Sequence, residues 1–122
     1  TIGPDFDCSG LIQSAFSSQG IWLPRDSYQQ EIFCKPVEVE IDFLQNLLPG
    51  DLLFFGTPSK CDHVALFKGA GMYWHSSGSS HGRNGIGIDG LFKSDESPVA
   101  SYYRLKFRGA GRVLRCHDGS RL

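Results

Sequence analysis

The chain has 122 residues and a mass of 13.5 kDa, enough for one hydrophobic core and not for two. Hydrophobic residues make up 40% and charged residues 20%, which excludes a disordered tail. The net charge of −1, from 12 basic and 13 acidic residues, argues against a nucleic-acid partner, and the longest strongly apolar run, residues 52–55, is too short to span a bilayer.

Fifteen glycines and six prolines predict many turns. Leu11, Ile12, Ala15 and Phe16 recur with helical spacing and predict a helix over residues 8–19, stopped by Gly20. After the apolar run Ile21-Trp22-Leu23, Pro24 stands where a second helix can open, over residues 24–33, with Pro36 beyond its end. Residues 37–41 alternate apolar and acidic side chains as a short strand does, and Asp42 is placed to cap a single turn over residues 43–48. Pro49-Gly50 is a turn signal. Residues 51–55 read as a buried strand, and residues 63–68 and 72–76 as a hairpin around Gly69-Ala70-Gly71. Residues 77–85 read as loop, and Ile86 and Ile88 mark a short strand. Alternation over residues 103–107 predicts a last strand, running on toward Leu114, and the basic residues Arg104, Lys106, Arg108, Arg112 and Arg115 read as its solvated face. Helices first and an antiparallel meander afterwards predict an α+β domain with its helices against one face of the sheet.

Four cysteines with no CxxC pair, Cys8, Cys34, Cys61 and Cys116, read as thiols rather than a disulfide framework. Cys8 opens the first predicted helix. The helix N-terminus favours a thiolate, and Ser9 and Gly10 leave room for a substrate to approach the sulfur; the alternative is a buried structural cysteine. A nucleophilic thiol needs a base. His63 opens a predicted strand, and His75, twelve residues on across the reversal, can lie beside it and hold its tautomer. Cys61, His63, His75 and His81 offer sulfur and nitrogen, but their spacing matches no common zinc pattern, so no metal and no organic cofactor is expected.

These residues carry a resemblance. The block from Phe6 to Leu11, FDCSGL, resembles the nucleophile motif of the NlpC-type cell-wall cysteine peptidases. LPGDLLFF from Leu48, HVALF from His63 and YWHSSG from Tyr73 are similar to the family's following blocks, in the family's order and over nearly the whole chain. The resemblance implies a papain-like α+β fold with Cys8 as nucleophile, His63 as base and His75 as orienting residue. Leu23-Pro24-Arg25-Asp26-Ser27 with Gln29-Gln30 is similar to the γ-D-glutamyl-L-diamino acid endopeptidases. That likeness implies that Asp26 grips the free amine of an N-terminal L-Ala and that Asp7, Ser9 and Ser27 line the same pocket, with Arg25 among the donors for the γ-D-Glu carboxylate.

The expected activity is therefore hydrolysis of the γ-D-glutamyl–diamino acid amide in peptidoglycan peptides. The alternatives are a catalytically silent wall-peptide-binding module and a same-fold cysteine hydrolase of another substrate. The chain starts at Thr1, almost on its nucleophile motif. It reads as an N-terminally truncated catalytic domain over residues 1–122, with an upstream barrel domain expected in the longer chain. Unpaired cysteines and a free-amine preference fit a cytoplasmic recycling enzyme; an exported wall hydrolase is the other compartment to consider.

Overall fold

In a computed structural model of the chain, residues 8–40, 44–77, 85–92 and 95–114 are described. Asp7, the loop residues His81 and Arg83, and Arg115, Cys116 and His117 lie outside them, as do residues 41–43, where a strand end and a capped turn were expected.

Strands β1 (Lys35–Val37), β2 (Leu52–Thr57), β3 (Lys60–Gly69), β4 (Met72–Ser77), β5 (Gly85–Gly90) and β6 (Phe107–Arg112) form one sheet in the order β1-β6-β2-β3-β4-β5, antiparallel at every pairing. The β2-to-β5 run is the meander expected from the apolar pattern. β6 returns to pair with β2, and β1 pairs on its outer side. Pro36 is tolerated in β1 because that strand is an edge.

Both faces of the sheet are covered, which explains the unbroken apolar run of β2. Leu52 and Phe54 pack with Ile12, Leu23, Cys34, Cys61 and Val64, the core beneath helices α1 (Cys8–Ser17) and α2 (Ser27–Phe33). Leu53 and Phe55 point the other way, into a core with Ala65, Phe67, Tyr73, Leu91 and Tyr103, the last on helix α3 (Pro98–Leu105). Each of the fully buried Leu, Ile, Val and Phe side chains among these contributes about 1.5–3 kcal/mol of transfer free energy.

Helix α3 corrects the expectation of a strand starting at residue 103. Ser97 caps it, its Oγ accepting the Ala100 N–H at 3.2 Å, and Pro98 sits where a missing N–H costs nothing. These two signals outweigh the short alternation at its end. The helix also lies on the face opposite α1 and α2, so the helices are not confined to one side. Helix α2 starts at Ser27 rather than Pro24, because Asp26 is its N-cap and the Asp26 N–H donates to Gln29 Oε1 at 3.2 Å. Among the described residues no helix is long and apolar enough to cross a membrane.

Among the described residues, Arg104, Lys106, Arg108 and Arg112 serve as clasps rather than a solvated face. Arg112 holds the buried Asp51 carboxylate through two bonds, of 2.9 and 2.8 Å. Arg108 holds Glu31 likewise, at 2.9 and 3.1 Å, which ties β6 to α2. Arg104 donates from Nε to the Leu91 carbonyl at 3.2 Å, and Lys106 pairs with Asp62 at 3.3 Å.

Candidate active site

A β-bulge aims His63. Phe55 faces His63, but the next residue of β2, Gly56, faces Cys61, so Asp62 is the extra residue on β3. The bulge needs Gly56: a Cβ there would lie 2.2 Å from the Lys60 carbonyl oxygen. Its consequence is a change of parity. Cys61 and Val64 both pack in the core beneath α1 and α2, while His63 turns to the opposite face, where its ring stacks on Tyr103 with centroids 4.3 Å apart and planes 23° apart.

On that face three titratable groups form a buried chain. His63 Nε2 lies 2.9 Å from His75 Nδ1, and His75 Nε2 lies 2.6 Å from Asp89 Oδ2. His63 is 6% exposed, His75 0% and Asp89 1%. The hydrogen-bond logic assigns the tautomers. The Asp89 carboxylate accepts the His75 Nε2 hydrogen, so His75 Nδ1 is an acceptor, His63 Nε2 carries the donated hydrogen, and His63 Nδ1 keeps the lone pair.

The sequence singles out His63 and His75, which the structure brings together, but not Asp89. The signal was a carboxylate set in the short Ile86-Gly87-Ile88 alternation. The register places Asp89 opposite Tyr73 and Gly87 opposite His75, so Asp89 is the diagonal neighbour of His75 on one face. Tyr103 was missed because it lies on α3, where a strand was expected.

Burial pushes the His63 imidazole down from its ordinary 6.5 to about 3, and a proton on His75, whenever it gains one, and the charge of Lys106 act the same way. The ring is therefore neutral near pH 7. The unfolded chain protonates this histidine near its ordinary value and the folded chain does so only near 3. The His63 contribution to stability is thus complete above about pH 6.5 and falls as pH drops toward 3, by at most about 1.4 kcal/mol per pH unit. Urea midpoints should accordingly decline from pH 7 through 6 to 5, and a His63→Phe variant should show a shallower decline.

Cys8 is the first residue of α1 and is half-buried beside the core that α1 and α2 cover. Its charge also bears on Tyr103, whose phenol is pushed up to about 12 by burial first and then by Tyr102, Cys8, Asp62 and Asp89. Tyr103 thus feels the Cys8 charge and stacks on His63, with its ring centroid also 5.1 Å from that of His75. The other described cysteines are inert by contrast. Burial, and secondarily Asp51, pushes the Cys34 thiol to about 12, and burial with Glu31 pushes Cys61 to about 11. Iodoacetamide at neutral pH should therefore alkylate Cys8 well before Cys34 and Cys61, which react only on unfolding; peptide mapping reads the order.

Of the residues expected to bind substrate, the structure brings Ser9 and Arg25 together: Arg25 Nη1 donates to Ser9 Oγ at 2.9 Å. Asp26 is exposed next to them at the α2 N-cap. Ser27 is buried, its hydroxyl hydrogen-bonded to the Cys61 thiol. A groove of about 790 Å³ runs past Glu38, Asn46 and Arg108 and includes none of these residues; the candidate site rests on the buried chain of titratable groups and not on empty volume.

Helix α1, which opens on Cys8, and a six-stranded antiparallel sheet that carries the buried His63–His75–Asp89 chain define an α+β domain of the papain-like class. The NlpC/P60 family model matches residues 1–107, and the chain belongs to the NlpC/P60 family. It is 34% identical over 109 residues to the Escherichia coli K12 murein DD-endopeptidase MepS/murein LD-carboxypeptidase, across 88% of this chain and 50% of that protein. It is 39% identical over 79 residues to the Bacillus cereus γ-D-glutamyl-L-lysine dipeptidyl-peptidase, across 62% of this chain and 22% of that protein. The solved structure of a Bacillus cereus NlpC/P60 family protein superposes with a TM-score of 0.70 at 32% identity, over 89% of this chain and 32% of that one. The chain thus spans half or less of the length of these relatives.

Proposed function

We propose that the chain is a cysteine endopeptidase that hydrolyses the amide between γ-D-Glu and a diamino acid in peptidoglycan-derived peptides bearing a free N-terminal L-Ala. His63 Nδ1 takes the Cys8 proton, and the sulfur attacks the γ-carbonyl. Backbone N–H groups at the start of α1 receive the oxyanion. As the tetrahedral intermediate collapses, the C–N bond breaks, His63 returns the proton to the leaving amine and a thioester remains. Water, deprotonated by the same nitrogen, then releases the acid and restores the thiol. A neutral His63 suits this sequence, because it rests as a base and need not first lose a proton. His75 and Asp89 hold its tautomer and stabilise the imidazolium that forms.

The observation that carries this reading is the buried His63–His75–Asp89 chain, in a member of a family whose relatives carry murein endopeptidase and γ-D-glutamyl peptidase names. Arg25 and Asp26, charged and exposed next to Ser9, suit a substrate with a carboxylate and an ammonium. Incubation with L-Ala-γ-D-Glu-diaminopimelate followed by mass spectrometry tests it. The expected products are L-Ala-D-Glu and the free diamino acid. Cleavage only of a D-alanyl–diaminopimelate cross-link would reassign the substrate, and binding of the peptide without cleavage would make the chain a silent wall-peptide module.

A further inference from the structure

We propose that Gln30 sets the distance between the Cys8 thiol and the Arg25–Asp26 segment, and so makes the site measure its substrate from a free amino terminus. Gln30 is 0% exposed. Its amide nitrogen donates to two backbone carbonyls, Ser9 O at 3.1 Å and Pro24 O at 2.9 Å. One belongs to the residue after Cys8 and the other to the residue before Arg25. Two carbonyl acceptors fix the orientation of the amide, since Oε1 would repel them, and Oε1 is left buried with no hydrogen-bond partner. An apolar side chain would fill the same space without burying an unpaired acceptor; what the amide adds is its pair of donors.

The bond from Arg25 Nη1 to Ser9 Oγ, at 2.9 Å, is a third tie between the same two segments. Three hydrogen bonds thus hold the first turn of α1 against residues 24–25, with Cys8 at one end and Asp26 at the other. This inference rests on the reading above, that Cys8 attacks the amide and Asp26 holds the amine. With both ends fixed, a substrate held by its amine at Asp26 can present a carbonyl to the sulfur only at one set distance from that amine. Gln30 touches no substrate in this scheme; it is a positioning residue.

The test is the ratio of kcat/KM for L-Ala-γ-D-Glu-diaminopimelate to that for its N-acetylated form. Loss of overall stability slows both peptides alike and leaves the ratio unchanged. The wild-type chain is expected to prefer the free amine at least about tenfold, a difference of 1.4 kcal/mol. Gln30→Met, similar in length and without donors, is expected to bring the ratio below about threefold, mainly by raising KM for the free-amine peptide. Arg25→Lys, at an exposed position, is expected to lower the ratio in the same direction. A folded Gln30→Met variant that keeps the wild-type ratio overturns the proposal. If that variant does not fold, an unchanged ratio in Arg25→Lys overturns it instead. Wild-type cleavage of both peptides without preference overturns the ruler and leaves the catalytic reading standing, whereas cleavage of neither overturns both.

Discussion

Exchanging Cys8 for alanine is expected to lower kcat/KM by a factor on the order of 10⁴ or more while leaving the fold in place. The size of the loss follows from the mechanism: without the sulfur no thioester forms, and what remains is binding and oxyanion stabilisation. The tolerance of the fold follows from position. Cys8 is half-buried at the first residue of α1, where deleting one sulfur atom opens no large cavity, unlike the roughly 2–5 kcal/mol expected for truncating Ile12 or Leu23 in the core behind it. Assaying the purified variant on L-Ala-γ-D-Glu-diaminopimelate, with its urea midpoint as control, reads both parts. Activity within tenfold of wild type would remove Cys8 from the mechanism.

Asp89 is expected to separate stability from turnover through two variants. Asp89→Ala leaves His75 Nε2, at 0% exposure, without its partner at 2.6 Å, and breaking such a buried pair costs about 3–5 kcal/mol. Asp89→Asn keeps the shape and can offer an amide hydrogen to His75 Nε2. That donation reverses the whole chain: His75 Nδ1 becomes the donor, His63 Nε2 the acceptor, and His63 Nδ1 acquires the hydrogen and ceases to be a base. Turnover should fall about 10²–10⁴-fold with the fold retained, as tautomer errors do in the Ser-His-Asp triad. Nitrogen chemical shifts of the His63 ring report the tautomer directly. An Asp89→Asn chain that turns over within threefold of wild type would show that Asp89 does not set the tautomer.

Much of the fold was legible because it is written in local pattern. The spacing of Leu11, Ile12, Ala15 and Phe16 gave α1, and the apolar run at residues 52–55 gave β2, the strand buried on both faces. The turn residues Gly69 and Gly71, at φ of +112° and +76°, gave the hairpin that joins His63 to His75. At α3, the alternation of residues 103–107 misread a helix as a strand, although Ser97 and Pro98 already marked its start. Arg104, Arg108 and Arg112 misread as a solvated face because the carbonyls and carboxylates that receive them are distant in the chain, at Leu91, Glu31 and Asp51.

The chemistry divides along the same line. The amino-acid order by itself singled out the candidate side chains, a thiol at a helix start and two histidines on neighbouring strands, and the blocks that mark the NlpC/P60 family. Only the tertiary structure decided how they are wired. The bulge at Asp62 turns His63 away from the face that carries Cys61, the register of β4 on β5 brings Asp89 to His75, and the fold of α3 lays Tyr103 on the His63 ring. The physical reason is that bulges and registers are set by contacts between strands, where a shift of one residue sends a side chain to the opposite face, and no local pattern encodes that choice.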